Sequence, residues 1–273
     1  MVWLSDTQTM TYNFPEPLSA MGKWIAANIE ERNIRCVIQT GDLVENGYNP
    51  AHWKRFDRCY LAFRELVPYF PIAGNHDIAI NHRDYTAYLE RPFMDAYPPE
   101  NLFEGGKAIY TTLHEGGLKL LLIGAGWEAE EAAVDWMNEV IQSHNDYTAI
   151  LLFHGYIKSN GGFTVIGKQM FDKVVVPNPN VRLVLCGHTS GYTGFRMDEI
   201  DDTGDGEPDR IVHAMMYNYQ DVESAHAGQL RILCFEPLAR ALTVTTYSPY
   251  TNEYYQYHDS YRQGPIFTIE DAF

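Results

Sequence analysis

Apolar runs typical of buried strands alternate along this chain with segments whose apolar residues recur at helical spacing. In the first third, the pattern predicts strands over residues 2–5, 34–40 and 69–73 and helices over 18–32 and 51–66. In the middle, it predicts strands over 108–113, 118–125, 149–153 and 181–186 and a helix over 130–144. Such alternation is typical of β-α units built over a layered sheet.

The last third has a different pattern, because strands predicted over 210–218, 229–235 and 239–247 follow one another without a helix. They suggest a second sheet that packs on the first. The acidic stretch 198–209 before them lacks the glutamate spacing of an EF-hand and predicts a solvated hairpin tip. We therefore expect an α/β fold, a four-layer α/β/β/α sandwich with two mixed β-sheets flanked by helices, in a single domain over residues 1–273.

Composition excludes some classes of function. The chain has 36 acidic and 20 basic residues and a net charge of −16, which opposes binding to a nucleic-acid duplex because that affinity depends on lysine and arginine. No apolar run approaches the roughly 20 residues that cross a bilayer. The sequence thus predicts a soluble chain and leaves its compartment open, including export with a signal peptide that is absent from these residues. Its oligomeric state is also open.

The four cysteines are predicted to be buried free thiols. Cys36, Cys186 and Cys234 lie in apolar strand-like runs, and Cys59 lies in a helical pattern. This distribution is not typical of a disulfide framework.

Short polar signatures follow directly after predicted strands, in the order Ser5-Asp6-Thr7-Gln8, Gly41-Asp42, Gly74-Asn75-His76-Asp77, His154-Gly155 and Gly187-His188. In open α/β sheets, ligands bind beyond the carboxyl ends of the strands. Residues that are far apart in sequence are therefore expected to converge on one site.

This ordered set resembles the calcineurin-like metallophosphoesterase superfamily, and the resemblance extends from Asp6 to His188. The run Tyr217-Asn218-Tyr219-Gln220, with Leu230-Arg231 and Thr246-Tyr247-Ser248-Pro249, resembles the carboxyl-terminal part of one branch of that superfamily. The resemblance implies two divalent metal ions that activate a water and clamp the oxygens of a phosphoryl displacement.

The resemblance also implies the ligands of the second ion, which are Asp42, Asn75, His154 and His188. Asp42 is expected to bridge the two ions. The resemblance does not decide the identity of the metal, and Mn, Mg, Fe, Zn and Ca are all candidates.

The first ion would be held by Asp6, Gln8 and the bridging Asp42. Here the sequence departs from the family pattern, because Gln8 and Ser190 stand where the pattern has histidines. Oxygen in place of two imidazoles favours hard ions such as Mg²⁺, Mn²⁺ or Ca²⁺ over Zn²⁺. We expect this position to be weak and exchangeable.

His76 is expected to protonate the leaving group or stabilise the transition state, with Asp77 orienting it. The predicted function is hydrolysis of a small phosphorylated substrate, a phosphomonoester or a phosphodiester, by direct attack of metal-bound hydroxide. The alternatives are a mononuclear enzyme and a non-catalytic domain that binds a phosphorylated ligand through one structural metal.

Overall fold

The computed structural model describes residues 1–78, 84–221, 228–254 and 266–273. Within these residues the strands, in chain order, are β1 (Val2–Leu4), β2 (Val37–Gln39), β3 (Tyr69–Pro71), β4 (Leu102–Phe103), β5 (Ala108–Glu115), β6 (Leu118–Ala125), β7 (Thr148–Phe153), β8 (Val181–Cys186), β9 (Tyr192–Ile200), β10 (Arg210–Asn218), β11 (Leu230–Glu236), β12 (Ala241–Ser248), β13 (Glu253–Tyr254) and β14 (Ile266–Ile269).

The α-helices of the described residues are α1 (Gln8–Tyr12), α2 (Pro15–Asn28), α3 (Pro50–Tyr60), α4 (Thr86–Leu89), α5 (Glu131–Ser143) and α6 (Val165–Met170). Short 3₁₀ turns cover Met94–Ala96 and Pro99–Asn101, and a π-helical turn covers Phe171–Val175. Local sequence explains some of the starts. For example, the Asn49 side chain accepts a hydrogen bond from the Ala51 N–H at 3.0 Å, just where Pro50 begins α3.

The strands form two mixed sheets. The first has the order β13-β12-β11-β1-β2-β3, with β14 also paired to β12, and its β1, β2 and β3 run parallel. The second has the order β4-β5-β6-β7-β8-β10-β9, and its β6, β7, β8 and β10 run parallel. In both sheets antiparallel strands flank the parallel ones. The predicted α/β class with two mixed sheets flanked by helices is confirmed.

The sequence pattern suggested that the last strands form a sheet of their own, but they do not. Strand β10 lies beside β8 in the second sheet, whereas β11 and β12 extend the first sheet from β1. Strand β9, an edge strand paired with β10, was missed. The reason is physical: alternating apolar residues indicate that a strand forms, but its partner depends on which sheet edge the chain can reach.

The layers follow from the two-residue repeat of each central strand. In β6 and β7, Leu122 and Leu152 face the core shared with the first sheet. Their neighbours Leu121 and Leu151 pack in a second cluster with Met137 of α5. Helices α2 and α3 pack on the first sheet, and their buried residues Leu18, Met21 and Phe56 belong to the same contiguous apolar cluster. Helices therefore flank the paired sheets, and the assignment of all 273 residues to one domain stays a prediction.

Three further expectations can be compared with the structure. The acidic stretch is an exposed hairpin tip, because Ile200 pairs with Arg210 and residues 201–209 between them are exposed. All four cysteines are free, but Cys234 is exposed and not buried, since it lies on the outward face of β11. Among the described residues, none of the helices has the length and apolar character that crossing a membrane requires.

Candidate metal centre

The signature residues converge because their strands are parallel neighbours. In the first sheet, β1, β2 and β3 run side by side, and Asp6, Asp42 and Asn75 lie in the loops after their carboxyl ends. In the second sheet, the adjacent parallel strands β7 and β8 end just before His154 and His188. Both sheets thus contribute side chains to one corner of the molecule.

Asp42 lies at the centre of this corner and is 1% exposed. The turn that places it uses left-handed backbone at Gly41 (φ 95°) and at Asp42 itself (φ 50°). The neighbouring turn approaches so closely that a Cβ on Gly74 would lie 2.2 Å from Asp42 Oδ1. The His76 backbone N–H donates to the same oxygen at 2.9 Å. The two turns therefore fix the position of the carboxylate.

His154 is 2% exposed and brings the ligand atoms of the second position together. Its Nδ1 lies 2.7 Å from the Thr40 carbonyl oxygen, which assigns the ring proton to Nδ1 in the neutral form. Its Nε2 lies 3.0 Å from Asn75 Oδ1, 3.2 Å from Asp42 Oδ2 and 3.2 Å from His188 Nδ1. The candidate ligand atoms of Asp42, His154 and His188 all lie within 4.8 Å of one another.

This arrangement fits a cation. A neutral His154 directs a lone pair towards a carboxylate and an amide oxygen, and only a positive charge makes that convergence favourable. Burial tends to lower the pKa of His154, but the charge and hydrogen bond of Asp42 raise it to about 9. Burial tends to raise the pKa of Asp42, but the His154 charge holds it below its usual value. A divalent ion would replace the imidazolium proton as the positive charge.

The first position contains Asp6 and Gln8, which are 5% and 1% exposed. Asp6 accepts hydrogen bonds from the His188 backbone N–H, at 3.0 and 3.1 Å, and from the Ser5 hydroxyl. Burial raises the pKa of Asp6 to about 7; the His154 charge opposes this effect and the Asp42 charge adds to it.

The Gln8 amide nitrogen lies 3.1 Å from Asp42 Oδ2, so Asp42 faces both positions. The buried Gln8 Oε1 has no hydrogen-bond partner among the described residues. An orphaned amide oxygen on a residue that contacts a buried carboxylate is a donor suited to a hard divalent ion. Ser190, by contrast, is exposed.

His76 lies at the rim, and its Nδ1 is 3.0 Å from the Glu45 carbonyl oxygen and 3.6 Å from a Glu45 carboxylate oxygen. Burial tends to lower its pKa, but the Asp42 charge and the Glu45 hydrogen bond raise it. Asp77 is fully buried and accepts from the Gly74 and Val44 N–H groups, at 2.8 and 3.0 Å. Glu45 therefore contacts the ring directly, Asp77 accepts hydrogen bonds from the two turns, and the role of Asp77 in orienting the imidazole stays a prediction.

The structure adds residues that sequence reasoning did not place at the site. The Gln220 side-chain oxygen accepts a hydrogen bond from Gln8, and the Asn218 amide donates to the His188 carbonyl oxygen at 3.1 Å. Both belong to the run Tyr217-Asn218-Tyr219-Gln220, whose resemblance to one family branch was the only signal. The Trp127 ring, 4.6 Å from the His188 ring, follows β6 and carried no motif.

A cleft of about 500 Å³ lies beside this corner. Trp127 is shared between the corner and the cleft, and Lys107 in the cleft wall forms an ion pair with Glu104 at 2.5 Å. Phe103, Glu130 and Ile166 also line it. The cleft has room for an organic group next to the candidate ligands.

Comparison with known proteins places the chain in a family. The calcineurin-like phosphoesterase model matches residues 2–192. The chain is 34% identical over 275 residues to the uncharacterized protein YvnB of Bacillus subtilis, covering 98% of this chain and 21% of YvnB. It is 25% identical over 157 residues to a probable cyclic nucleotide phosphodiesterase of Moraxella catarrhalis, covering 55% of this chain and 56% of that protein.

The chain thus spans about a fifth of one curated relative and about half of the other. A dimetal phosphatase from Danio rerio has the same fold, with a TM-score of 0.67, 10% identity and 98% of each chain covered. The prediction of a metal-dependent phosphoesterase domain is confirmed at the level of the family. The chain belongs to the calcineurin-like phosphoesterase family.

Proposed function

We propose that this chain hydrolyses a small phosphorylated substrate at a dinuclear site formed by Asp6, Gln8, Asp42, Asn75, His154 and His188. The observation that carries the proposal is the convergence of acceptor atoms around His154 Nε2, together with the second carboxylate and orphaned amide oxygen beside them. Divalent ions bound there would polarise the phosphoryl oxygens and lower the pKa of an attacking water.

The side chains have separate roles in the proposed reaction. Asp42 faces His154 on one side and Gln8 on the other, which suits it to bridge two positions. The Thr40 carbonyl oxygen fixes the His154 ring so that Nε2 points into the site. We assign the second ring nitrogen of His76 to the leaving-group or transition-state oxygen, because Glu45 holds Nδ1.

The cleft beside Trp127 is the proposed place for the leaving group. Its apolar and aromatic wall would pack against an organic group. A monoester and a diester both fit this description. The diester receives some support from the Moraxella relative, which is named a probable cyclic nucleotide phosphodiesterase.

The test is hydrolysis of p-nitrophenyl phosphate and of bis-p-nitrophenyl phosphate by metal-stripped protein titrated with Mn²⁺, Mg²⁺ and Zn²⁺, while bound metal is counted. We expect turnover to rise as the second, weaker equivalent fills. His154→Ala should abolish turnover and tight metal binding, whereas His114→Ala, an exposed histidine on β5, should change neither.

Three results would contradict this proposal in different ways. Full turnover at one ion per chain would indicate a mononuclear enzyme. One retained ion without turnover, with any of the three metals and either ester, would indicate the non-catalytic binding domain. Two tightly bound zinc ions after chelator treatment would contradict the weak first position.

A further inference from the structure

A pair of glutamine amides closes the first metal position. The Gln8 amide nitrogen hydrogen-bonds both to Asp42 Oδ2, at 3.1 Å, and to the side-chain oxygen of Gln220. These glutamines are 212 residues apart in the sequence. Gln220 is held in place by its own backbone N–H, which donates to Asn218 Oδ1 at 2.9 Å. The end of β10 therefore brings a second amide to the corner that Asp6 and Gln8 occupy.

The orientation of the Gln8 amide leaves a buried polar atom unpaired. Its Oε1 has no hydrogen-bond partner among the described residues, which is unfavourable for a buried polar atom when no other group compensates. Turning the amide by half a turn would exchange its nitrogen and oxygen. With Gln220 in its present orientation, the oxygen would then face Asp42 Oδ2 and Gln220 Oε1, and a cation between them would make this arrangement of three oxygens favourable.

The negative charge of the surrounding residues favours a cation beside Gln8 and Gln220. Asp6 and Asp42 are both buried carboxylates, 5% and 1% exposed, and contribute negative charge to the same corner. Ser190 is exposed, so it does not replace the missing imidazole.

We propose that Gln220 is a ligand of the first metal ion, and that Gln8 and Gln220 together take the place of the two absent imidazoles. This inference rests on the dinuclear site proposed above. The donor set is then Asp6, Gln8, Asp42 and Gln220, which offers oxygen alone. Such a set selects hard ions, Mn²⁺, Mg²⁺ or Ca²⁺, over Zn²⁺. The second position keeps its two imidazoles and binds transition metals more tightly.

Metal binding tests this assignment without any measurement of turnover. Metal-stripped protein is titrated with Mn²⁺, and free Mn²⁺ is followed by electron paramagnetic resonance. We expect two classes of site in the wild type. Gln220→Ala should weaken only the weaker class, by about tenfold or more. Gln142→Ala, an exposed glutamine on α5, is the matched control and should bind like the wild type.

A second variant distinguishes two roles for Gln220, namely a metal ligand and a residue that only accepts a hydrogen bond from Gln8. Gln220→Glu keeps the chain length and a hydrogen-bond acceptor for Gln8, but places a carboxylate at the ion. As a ligand it should tighten the weaker Mn²⁺ class, whereas a residue that only orients Gln8 would leave that class unchanged. This readout also stands if Gln220→Ala folds poorly.

The outcomes distinguish the inference from the proposed function. Two Mn²⁺ classes that persist unchanged in both variants would overturn the role of Gln220 while leaving the dinuclear site intact. A single class in the wild type would overturn both. Loss of the weaker class in Gln220→Ala from a protein that hydrolyses neither ester would support the ligand assignment and reject the proposed function.

Discussion

The close approach of two turns at Asp42 makes a specific prediction for Gly74→Ala. Gly74 does not have left-handed backbone, so alanine is allowed there by its dihedral angles. The new methyl carbon, however, would lie 2.2 Å from both Asp42 Oδ1 and Asp42 N, whereas ordinary contacts begin at 3.4 Å. The Asp42 turn would have to move by the difference, about 1.2 Å.

A shift of that size is large for this carboxylate. Asp42 lies 3.2 Å from His154 and 3.1 Å from Gln8, and the His76 backbone N–H donates to it at 2.9 Å. A displacement of about 1 Å costs on the order of 10²-fold in rate when it misplaces a reacting group. We therefore expect Gly74→Ala to lose about 10²-fold in kcat/KM and to bind both metal equivalents more weakly.

The assay combines hydrolysis of the two nitrophenyl esters with a count of bound Mn²⁺ at matched free metal. Gly162→Ala is the control, because its nearest neighbour is the Asn160 side-chain oxygen at 3.1 Å, which can move away. Urea unfolding of both variants shows whether a loss of activity reflects only a loss of fold. Wild-type turnover and metal binding in Gly74→Ala would refute the claim that the two turns fix Asp42.

Three other predictions concern single side chains. His76→Ala should lower kcat by about 10²–10⁴-fold and keep both metal equivalents, because the backbone N–H bond to Asp42 remains; metal loss would contradict the assigned role. Trp127→Ala should raise KM for the nitrophenyl esters more than it lowers kcat, and unchanged KM would exclude Trp127 from the substrate wall. His213 is buried, and burial together with the Arg182 charge lowers its pKa to about 4 from 6.5. Its neutral form therefore stabilises the fold above pH 6.5, and this contribution falls by roughly 1.4 kcal/mol per pH unit as the pH drops towards 4. In metal-free protein, His213→Leu should flatten the loss of urea stability between pH 6.5 and pH 5, and an unchanged slope would contradict the buried neutral state.

Much of the site was predictable, because its residues follow directly after strands. Asp6, Asp42, Asn75 and His154 each come at the end of an apolar run, and parallel pairing of those runs explains why they meet. The two mixed sheets followed from the same alternation of elements. The local sequence pattern was sufficient to predict those features that depend on residues adjacent in the sequence.

The rest depends on contacts between distant parts of the chain. Nothing in the local pattern assigns β10 to one sheet and β11 to the other, because an apolar strand run does not specify which strand it pairs with. The meeting of Gln8 and Gln220 follows only from that assignment. The contact of the Glu45 carbonyl oxygen with His76 was not predicted for a different reason, since the course of the loop backbone, and not sequence adjacency, decides which group reaches the ring.

The pairing of β1 with β11 has a consequence for the order of events during synthesis. Strand β1 lies between β2 and β11, and the Met1 amino group donates to the Leu233 carbonyl oxygen at 2.7 Å. Strand β1 therefore gains its second neighbour only after β11 has been synthesised. A nascent chain that stops at residue 200 would contain all of the polar signatures that follow strands. It would still lack Gln220 and strand β11, which pairs with the strand that precedes Asp6. Under the proposed ligand assignment, the first ion would find its full set of ligands only after the residues that follow β10 have been synthesised.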